Sequence, residues 1–426
     1  MTELGPSPLA SPSDAQISVD DARARIAAGL RPMAGHETVP LAEALGRVLA
    51  EDLISTIDVP AHDNSAMDGF AFRGAELRSD GDSRFVVVAT VMAGDARPVA
   101  TGPGDCVRIM TGAVMPEGLD TVVPLELCRE AGGVVHVAAG VLGPGENRRR
   151  RGEDLGRGQP ALGRGRVLRP ADLGLAASLG VTALSVVRRL KVALFSTGDE
   201  LREAGQPLAP GCIYDSNRHS LAAALRRMGL KVVDLGLVAD DPAALEATLA
   251  TALREADVVL TSGGVSMGDA DHTRTLLARM GEVAFWKVAM RPGRPFAFGA
   301  LRRAPGEAPA WLFALPGNPV AALVTFYAFA QEALWRLAGA SQPPVPRLRA
   351  RCTAAIRKRP GRTEYQRAIV EPAPDGQGWQ VRLTGSQGSG VLRSMSEANA
   401  LLVLGHDQGS VAAGEMVEVW LFDGLV

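Results

Sequence analysis

Between Lys191 and Ala338, strand-like and helix-like segments take turns, and this alternation constrains the fold more than any other feature. KVALFSTG (191–198) is an apolar, β-branched run that stops at small residues, so it reads as a strand. Residues 216–228 carry helical spacing. KVVDLGLV (231–238) is again a strand, and DPAALEATLATALREA (241–256) a helix opened by Asp and Pro. DVVLTSGG (257–264) and DHTRTLLARMG (271–281) repeat the pattern. Strands are expected around 283–289, 295–300 and 311–315, then a long helix through 318–338. The alternation implies right-handed crossovers and a parallel sheet covered on both faces, a three-layer α/β domain.

In such a sheet, ligands bind outside the carboxyl ends of the strands. Three loops leave those ends: STGDEL (196–201), TSGGVSMGDADHT (261–273) and LPGNPV (315–320). Successive N–H groups in Gly-rich loops at helix starts can cradle phosphate, although a glycine after a strand often marks only a turn. Asp199, Glu200, Asp269 and Asp271 lie in the same loops and would repel an anion unless a cation intervenes. Mg2+ takes one or two carboxylates together with phosphate oxygens and waters. Asp also caps helices, so one of Asp269 and Asp271 is expected to cap and the other to face the ligand. MRPGRPFAF (290–298) sets Arg291 and Arg294 on a Pro/Gly turn between apolar flanks, and the planar guanidinium suits tetrahedral oxyanions. NRRRRGED (147–154) is expected to be mostly a solvated basic loop.

The rest of the chain differs in texture. Residues 1–16 are Pro/Ser-rich, with neither a basic start nor an apolar core, and read as a disordered tail. Residues 20–33 suggest a helix, 41–55 a helix turning into a strand, and 169–180 a helix. Residues 59–149 hold short β-rich runs broken by Gly, Pro and Asp, and the chain after SQPPVP is β-rich again. Within 62–72, HDNSAMDGFAF, the first seven residues fit neither period; the plain interpretation is a connector whose Asp and Asn side chains bond their own backbone. A net charge of −2 gives no reason to expect nucleic acid, and no apolar run reaches membrane-spanning length. Four scattered cysteines without a CxxC pair suit a reducing compartment, so a cytoplasmic protein is expected.

DNSAMDGFA, RIMTGA, RRGEDL, STGDEL, TSGGVSMGDADHT, FWKVAMRPGRPFAFG and LPGNPV occur in this order. Together they resemble the molybdopterin molybdenumtransferases, the MoeA and gephyrin E-domain family, from about residue 17 to the C terminus. The resemblance implies an α/β multidomain chain. A discontinuous, elongated N-terminal domain (17–58 and 150–187) is interrupted by a β insertion (59–149). An α/β domain like that of the molybdopterin adenylyltransferases (188–340) and a small C-terminal β domain (345–426) follow. The implied reaction takes adenylylated molybdopterin and molybdate, uses Mg2+ and releases AMP as molybdenum is bound. A homodimer with an active site shared between chains is implied, with a molybdopterin adenylyltransferase as the upstream partner.

Site roles follow from the same resemblance. Asp63, Thr111, Asp154 and Asp271 match residues important for activity, and Glu200, Asp240 and Asp271 the Mg2+ positions. Ser196 with Gly263, Gly264, Ser266, Pro316, Gly317 and Asn318 would line the nucleotide and pterin site. Lys287, Arg291, Arg294 and Pro295 would hold the pterin phosphate or molybdate, with Arg367 and Ser389 of the C-terminal domain facing the same pocket. HDNSAMDGF becomes an active-site loop directed at the partner chain. The sequence departs from many members at Arg291 (often Lys), His272 (often Tyr or Phe) and Ala321 (often Ser). The alternatives are a molybdopterin adenylyltransferase, which leaves both ends of the chain unexplained, and a gephyrin-like scaffold, which has no need of the acidic and arginine loops.

Overall fold

The computed structural model describes residues 16–33, 35–264, 270–341 and 346–422, with the backbone alone for 270–272. Residues 1–15 of the expected tail lie outside this range. The chain divides into two compact units: residues to Ala50, Gly165–Arg169 and Leu184 onward form one, and Glu51–Arg164 with Pro170–Ala183 the other.

In the first unit, a seven-stranded sheet runs in the order Gln16–Ile17, Gly281–Val288, Pro295–Leu301, Ala310–Leu315, Val258–Ser262, Lys191–Thr197, Lys231–Val238. Its strands are apolar along nearly their whole length; Val258–Ser262 and Ala310–Leu315 are buried at every residue, as a sheet covered on both faces requires. The sheet is mixed, not wholly parallel: Pro295–Leu301 runs antiparallel to both neighbours. The connections before and after that strand carry no helix, so the chain turns back as hairpins, whereas a parallel return needs a long crossover.

The helices form where their ends are chemically marked. Val19–Gly29 starts at Ser18, whose hydroxyl accepts the Asp21 N–H (3.0 Å), with Asp20 and Asp21 in the first turn. Pro242–Glu255 starts at Asp241, which accepts the Ala244 N–H (2.8 Å) ahead of Pro242 at the first turn. The expected long helix is present as Pro319–Thr325, one π-turn at Phe326–Ala330, and Gln331–Leu337. Val320 to Thr325 are all buried, so this is a core helix rather than an amphipathic one. Phe296 stacks on Phe329 (5.0 Å), locking helix to sheet, and Phe298 stacks on Trp311 (5.3 Å) between neighbouring strands. Truncating one such ring to alanine costs about 3–5 kcal/mol.

After residue 345 the strands Thr363–Pro372, Trp379–Leu383, Arg347–Cys352, Met416–Leu421 and Ala400–Leu404 close on themselves as a small barrel, leaving no free edge in the ring. Met290–Arg291 adds to it beside Thr363–Glu364.

In the second unit, a six-stranded sheet has the order Thr121–Pro124, Gly69–Phe72, Asp105–Ile109, Ser83–Val91, Val134–Val137, Arg129–Ala131. Phe70, Phe72, Phe85 and Val135 fill one of its cores, with Phe72 stacked on Phe85 at 4.3 Å.

The segment 41–55 corrects a sequence expectation. Only Leu41–Glu43 is helical, as a single 3-10 turn; Val48 and Leu49 then bridge to Val167 and Val186, and Leu53–Ile54 is a short strand. Gly46 at φ 71° breaks the helical path, and pairing with distant strands overrides the local Ala/Leu/Glu propensity.

Candidate active site

Three strands of the seven-stranded sheet stop level. Ser196 pairs with Ser262 and Ser262 with Leu315, so STGDEL, TSGG and LPGNP leave from one row. Gly263 has φ +94°, and a Cβ there would lie 2.5 Å from the Thr197 carbonyl oxygen, so only glycine allows this close passage. The Gly263 N–H donates to the Leu315 carbonyl (3.1 Å). Beside the two glycines, the Thr197 Oγ1 is buried without a hydrogen-bond partner among the described residues.

Behind this row lies a group that sequence reasoning did not single out. The Ser196 hydroxyl, 1% exposed, donates to Asp215 (3.2 Å). Asp215 also accepts from the backbone N–H and the Nε of Arg218, at 3.1 Å each. Arg218 donates further to Asp234 (2.7 Å) and to Glu203. Burial disfavours the Arg218 charge, but the three carboxylates outweigh it and hold its pKa above the ordinary value. Asn217, first residue of its helix, donates from Nδ2 to the Ser262 Oγ (2.7 Å) and to the Gly317 carbonyl (2.6 Å). The one signal available beforehand was DSN, three small polar residues at the start of a helix.

The acidic residues fall at the outer end of the row. Glu200 is exposed and folds back so that a Cβ at Gly198 would lie 2.6 Å from its carboxylate. Asp199 accepts the backbone N–H of Asp240 (3.1 Å), joining the loop of Glu200 to that of Asp240. Among the described residues no three or more His, Cys, Asp or Glu side chains gather as a metal cage. Glu200 and Asp240 thus stand on adjoining loops, and carboxylate oxygens are the donor type that Mg2+ takes, one or two at a time together with waters. Ser266 and Asp269 lie outside the described residues. Asp271 is the second residue of the helix Ala270–Met280, and its side chain is not described either.

The basic turn sits where the sheet meets the barrel. Arg291 and Arg294 are exposed, and neither has a carboxylate partner among the described residues. The Val288 N–H donates to the Arg294 carbonyl (2.8 Å), closing the turn, and a Cβ on Gly293 would collide with the Thr325 hydroxyl. Lys287 is half-buried and pairs with Pro295 across the hairpin. Arg367 is fully buried, yet among the described residues its side chain donates only to neutral groups: the Ser394 hydroxyl (3.0 Å) and the carbonyls of Ser386 (3.2 Å) and Gly388 (3.0 Å). Burial, and then the nearby Arg291 charge, bring its pKa down to about 10. In the same loop, the Ser389 carbonyl accepts the Val320 N–H (3.0 Å) at the start of the helix that follows LPGNP. The structure therefore brings Arg291, Arg367, Ser389 and the Pro316–Asn318 loop into one neighbourhood.

In the second unit, HDNSAMDGFAF is not irregular throughout. Asn64–Ser65 pairs antiparallel with Arg148–Arg149, and Gly69–Phe72 is a strand of the six-stranded sheet. Asp63 accepts the Arg151 N–H (2.8 Å) and faces the Arg148 guanidinium (3.5 Å). Arg151 pairs in turn with Asp58 (2.6 Å). Two arginines of NRRRRGED are thus fixed by acids rather than simply solvated. Thr111 donates both its N–H and its hydroxyl to Asp68, at 2.7 Å each, and these bonds hold Asp68 below the usual carboxylate range. Asp154 is exposed, with its backbone N–H on the Val59 carbonyl (3.1 Å). Asp63 and Thr111 are joined only through the strand network, and Asp154 stands at the far end of the arginine run. Asp58 and Asp68 were not among the expected site residues.

Comparison with known proteins resolves what this arrangement belongs to. Residues 17–180 match the family described as MoeA N-terminal region (domain I and II), 193–336 the probable molybdopterin binding domain, and 349–422 the MoeA C-terminal region (domain IV). Molybdopterin molybdenumtransferase of Haemophilus influenzae is 40% identical over 413 residues, covering 96% of this chain and 100% of that protein. The chain belongs to the molybdopterin molybdenumtransferase family. Molybdopterin molybdenumtransferase 2 of Mycobacterium tuberculosis is 39% identical over 393 residues, 90% of this chain and 94% of its own. The solved structure of a molybdopterin biosynthesis moeA protein from Pyrococcus horikoshii superposes with a TM-score of 0.82 at 27% identity, over 96% of this chain and 100% of that one. As a molybdopterin molybdenumtransferase, the chain is an enzyme of molybdenum cofactor biosynthesis. Its α/β body carries the glycine loops and the basic turn, and no described helix is long and apolar enough to cross a membrane.

Proposed function

We propose that the protein inserts molybdenum into molybdopterin, taking adenylylated molybdopterin and molybdate and releasing AMP. The observation that supports this most is the single row formed by Ser196, Ser262 and Leu315, from which three loops leave, together with an arginine turn that has no carboxylate partner among the described residues. In this reading the N–H groups of Gly263, Gly264 and Gly317, with Ser196, Ser266, Pro316 and Asn318, receive the phosphates of the pterin nucleotide. Arg291 and Arg294, helped by Lys287, Pro295, Arg367 and Ser389, receive the molybdate oxyanion. Glu200, Asp240 and Asp271 would hold Mg2+, which supplies positive charge against the phosphate bridge as AMP leaves. Asp63, Thr111 and Asp154 complete the site in a homodimer, offered by one chain to its partner. A cytoplasmic location and a molybdopterin adenylyltransferase upstream belong to the same reading; nucleic acid and membrane play no part.

The test is a choice of substrate. Purified protein given adenylylated molybdopterin, Mg2+ and molybdate is expected to release AMP, and to consume no ATP when given free molybdopterin and ATP. ATP consumption with pterin adenylylation would make it an adenylyltransferase instead.

A further inference from the structure

The Gly263–Gly264 and Pro316–Asn318 loops follow different strands, yet they act on one space: a Cβ on Gly317 would lie 3.9 Å from the Gly263 Cα. Gly263, Gly264 and Gly317 carry no side chains with which to hold one another, so their separation is set by the backbone and by neighbouring elements. One direct tie is the Gly263 N–H on the Leu315 carbonyl. The other comes from a third element. The Asn217 amide, 9% exposed, spends both Nδ2 hydrogens across the gap, on the Ser262 hydroxyl and on the Gly317 carbonyl. The Ser262 Oγ is then turned toward the Pro316 carbonyl (3.4 Å), so the crosslink runs from Ser262, at the foot of the Gly263–Gly264 loop, to two successive carbonyls of the other loop.

We propose that Asn217 is a positioning residue that holds the two glycine loops as one anion cradle. The inference rests on the proposed function, which assigns those loops to the phosphates of the pterin nucleotide. Two features of the amide suit the task. It bears two donors in a fixed fork, and the carbonyl and hydroxyl oxygens it meets accept both. It is also neutral, so it braces the loops without adding negative charge beside an incoming anion. A carboxylate of the same shape offers no donor and sets a negative charge 2.6 Å from the Gly317 carbonyl. A hydroxyl or methyl spans one contact or none.

The test measures AMP and molybdate binding separately by calorimetry, in the full-length wild type and in Asn217→Ala, Asn217→Asp and Ser262→Ala. Asn217→Ala is expected to weaken AMP binding about tenfold, the loss of one to two net hydrogen bonds. Ser262→Ala, which keeps the Gly317 contact, should weaken it less. Molybdate binding, assigned to the arginine turn, should stay within about twofold, since no bond of that turn is touched. Asn217→Asp carries a pH signature that a merely destabilising change lacks. Its buried carboxyl titrates above the usual range, so the ratio of wild-type to variant affinity for AMP should be largest at pH 8 and shrink toward pH 6 as the protonated acid regains a donor. Thermal melting of each variant separates folding from binding, and Ser262→Ala serves where Asn217→Asp does not fold. AMP affinity unchanged in Asn217→Ala and Ser262→Ala overturns the role of Asn217 while leaving the proposed function standing. Wild-type protein that binds neither AMP nor molybdate overturns the proposed function and the cradle with it.

Discussion

Thr111 donates both its backbone N–H and its hydroxyl to the Asp68 carboxylate, at 2.7 Å each. The two residues come from HDNSAMDGF and RIMTGA, so one carboxylate holds together two motifs that lie about forty residues apart in the chain. The loop is fixed on its other side by the Arg151 N–H on Asp63.

The first prediction concerns that carboxylate. Asp68 is held low by the Thr111 N–H first and the Thr111 hydroxyl second. A depressed carboxyl pKa stabilises the fold at all pH values above the ordinary one, and the contribution fades as pH falls through the depressed value, below about pH 4. Thr111→Val removes the hydroxyl donor and keeps the N–H, so the Asp68 carboxyl should titrate higher than in wild type by NMR. Thr111→Ser should leave it unchanged. An Asp68 titration that is identical in wild type and Thr111→Val would show that the hydroxyl bond is not made.

The second prediction tests the close passage at the sheet edge. Gly263→Ala should destabilise the protein by roughly 1–3 kcal/mol in denaturant melts, since φ +94° and the Thr197 carbonyl both oppose a Cβ. Gly361 has φ +99° with open space around it, so Gly361→Ala reports the backbone cost alone and should be milder. Equal costs would mean that the Gly263 loop gives way readily and is no rigid cradle.

Sequence and structure agree best where chemistry is local. The strands Lys191–Thr197 and Val258–Ser262 were legible because unbroken apolar runs bury both faces, the helix expected at 20–33 and found at Val19–Gly29 because two acids open it, and Pro242–Glu255 because Asp241 and Pro242 mark its start. The turn-back of Pro295–Leu301 was not legible: its texture equals that of the parallel strands, and only the connection lengths reverse it. Nor was the 3-10 turn at Leu41–Glu43, where pairing of Val48 and Leu49 with distant strands decides the conformation. For the site, motifs in loops pointed to the glycines and arginines. Asp58, Asp68, Asp215, Asn217 and Arg218 work through partners between 3 and 100 residues away, and such pairings leave no period or spacing to read.

The third prediction follows from the arginine turn, whose Arg291 and Arg294 have no carboxylate partner among the described residues. Arg294→Ala should raise the molybdate concentration for half-maximal activity about tenfold to hundredfold, the worth of a charge-assisted contact of roughly 1.5–3 kcal/mol, with a smaller effect on pterin binding. An unchanged molybdate dependence would move the anion site away from this turn.

The fourth prediction addresses the proposed dimer. Asp63→Asn and Asp271→Asn homodimers should each be inactive. With sites shared between chains, a mixed dimer has one site carrying both lesions and one carrying neither. If subunits exchange freely at equal amounts, about half the dimers are mixed and activity returns to about a quarter of wild type per protomer. Mass spectrometry of tagged chains checks the exchange. Complete exchange with activity at background would place both residues in sites within one chain.

The most direct test of the account counts molybdenum against AMP in a single turnover. Protein is loaded with adenylylated molybdopterin, then given Mg2+ and molybdate, and AMP by chromatography and pterin-bound molybdenum by mass spectrometry are followed together. Molybdenum insertion predicts that the two rise in step, one for one, and that Arg294→Ala slows both equally at limiting molybdate. AMP release at full rate with no molybdenum retained on the pterin would contradict it.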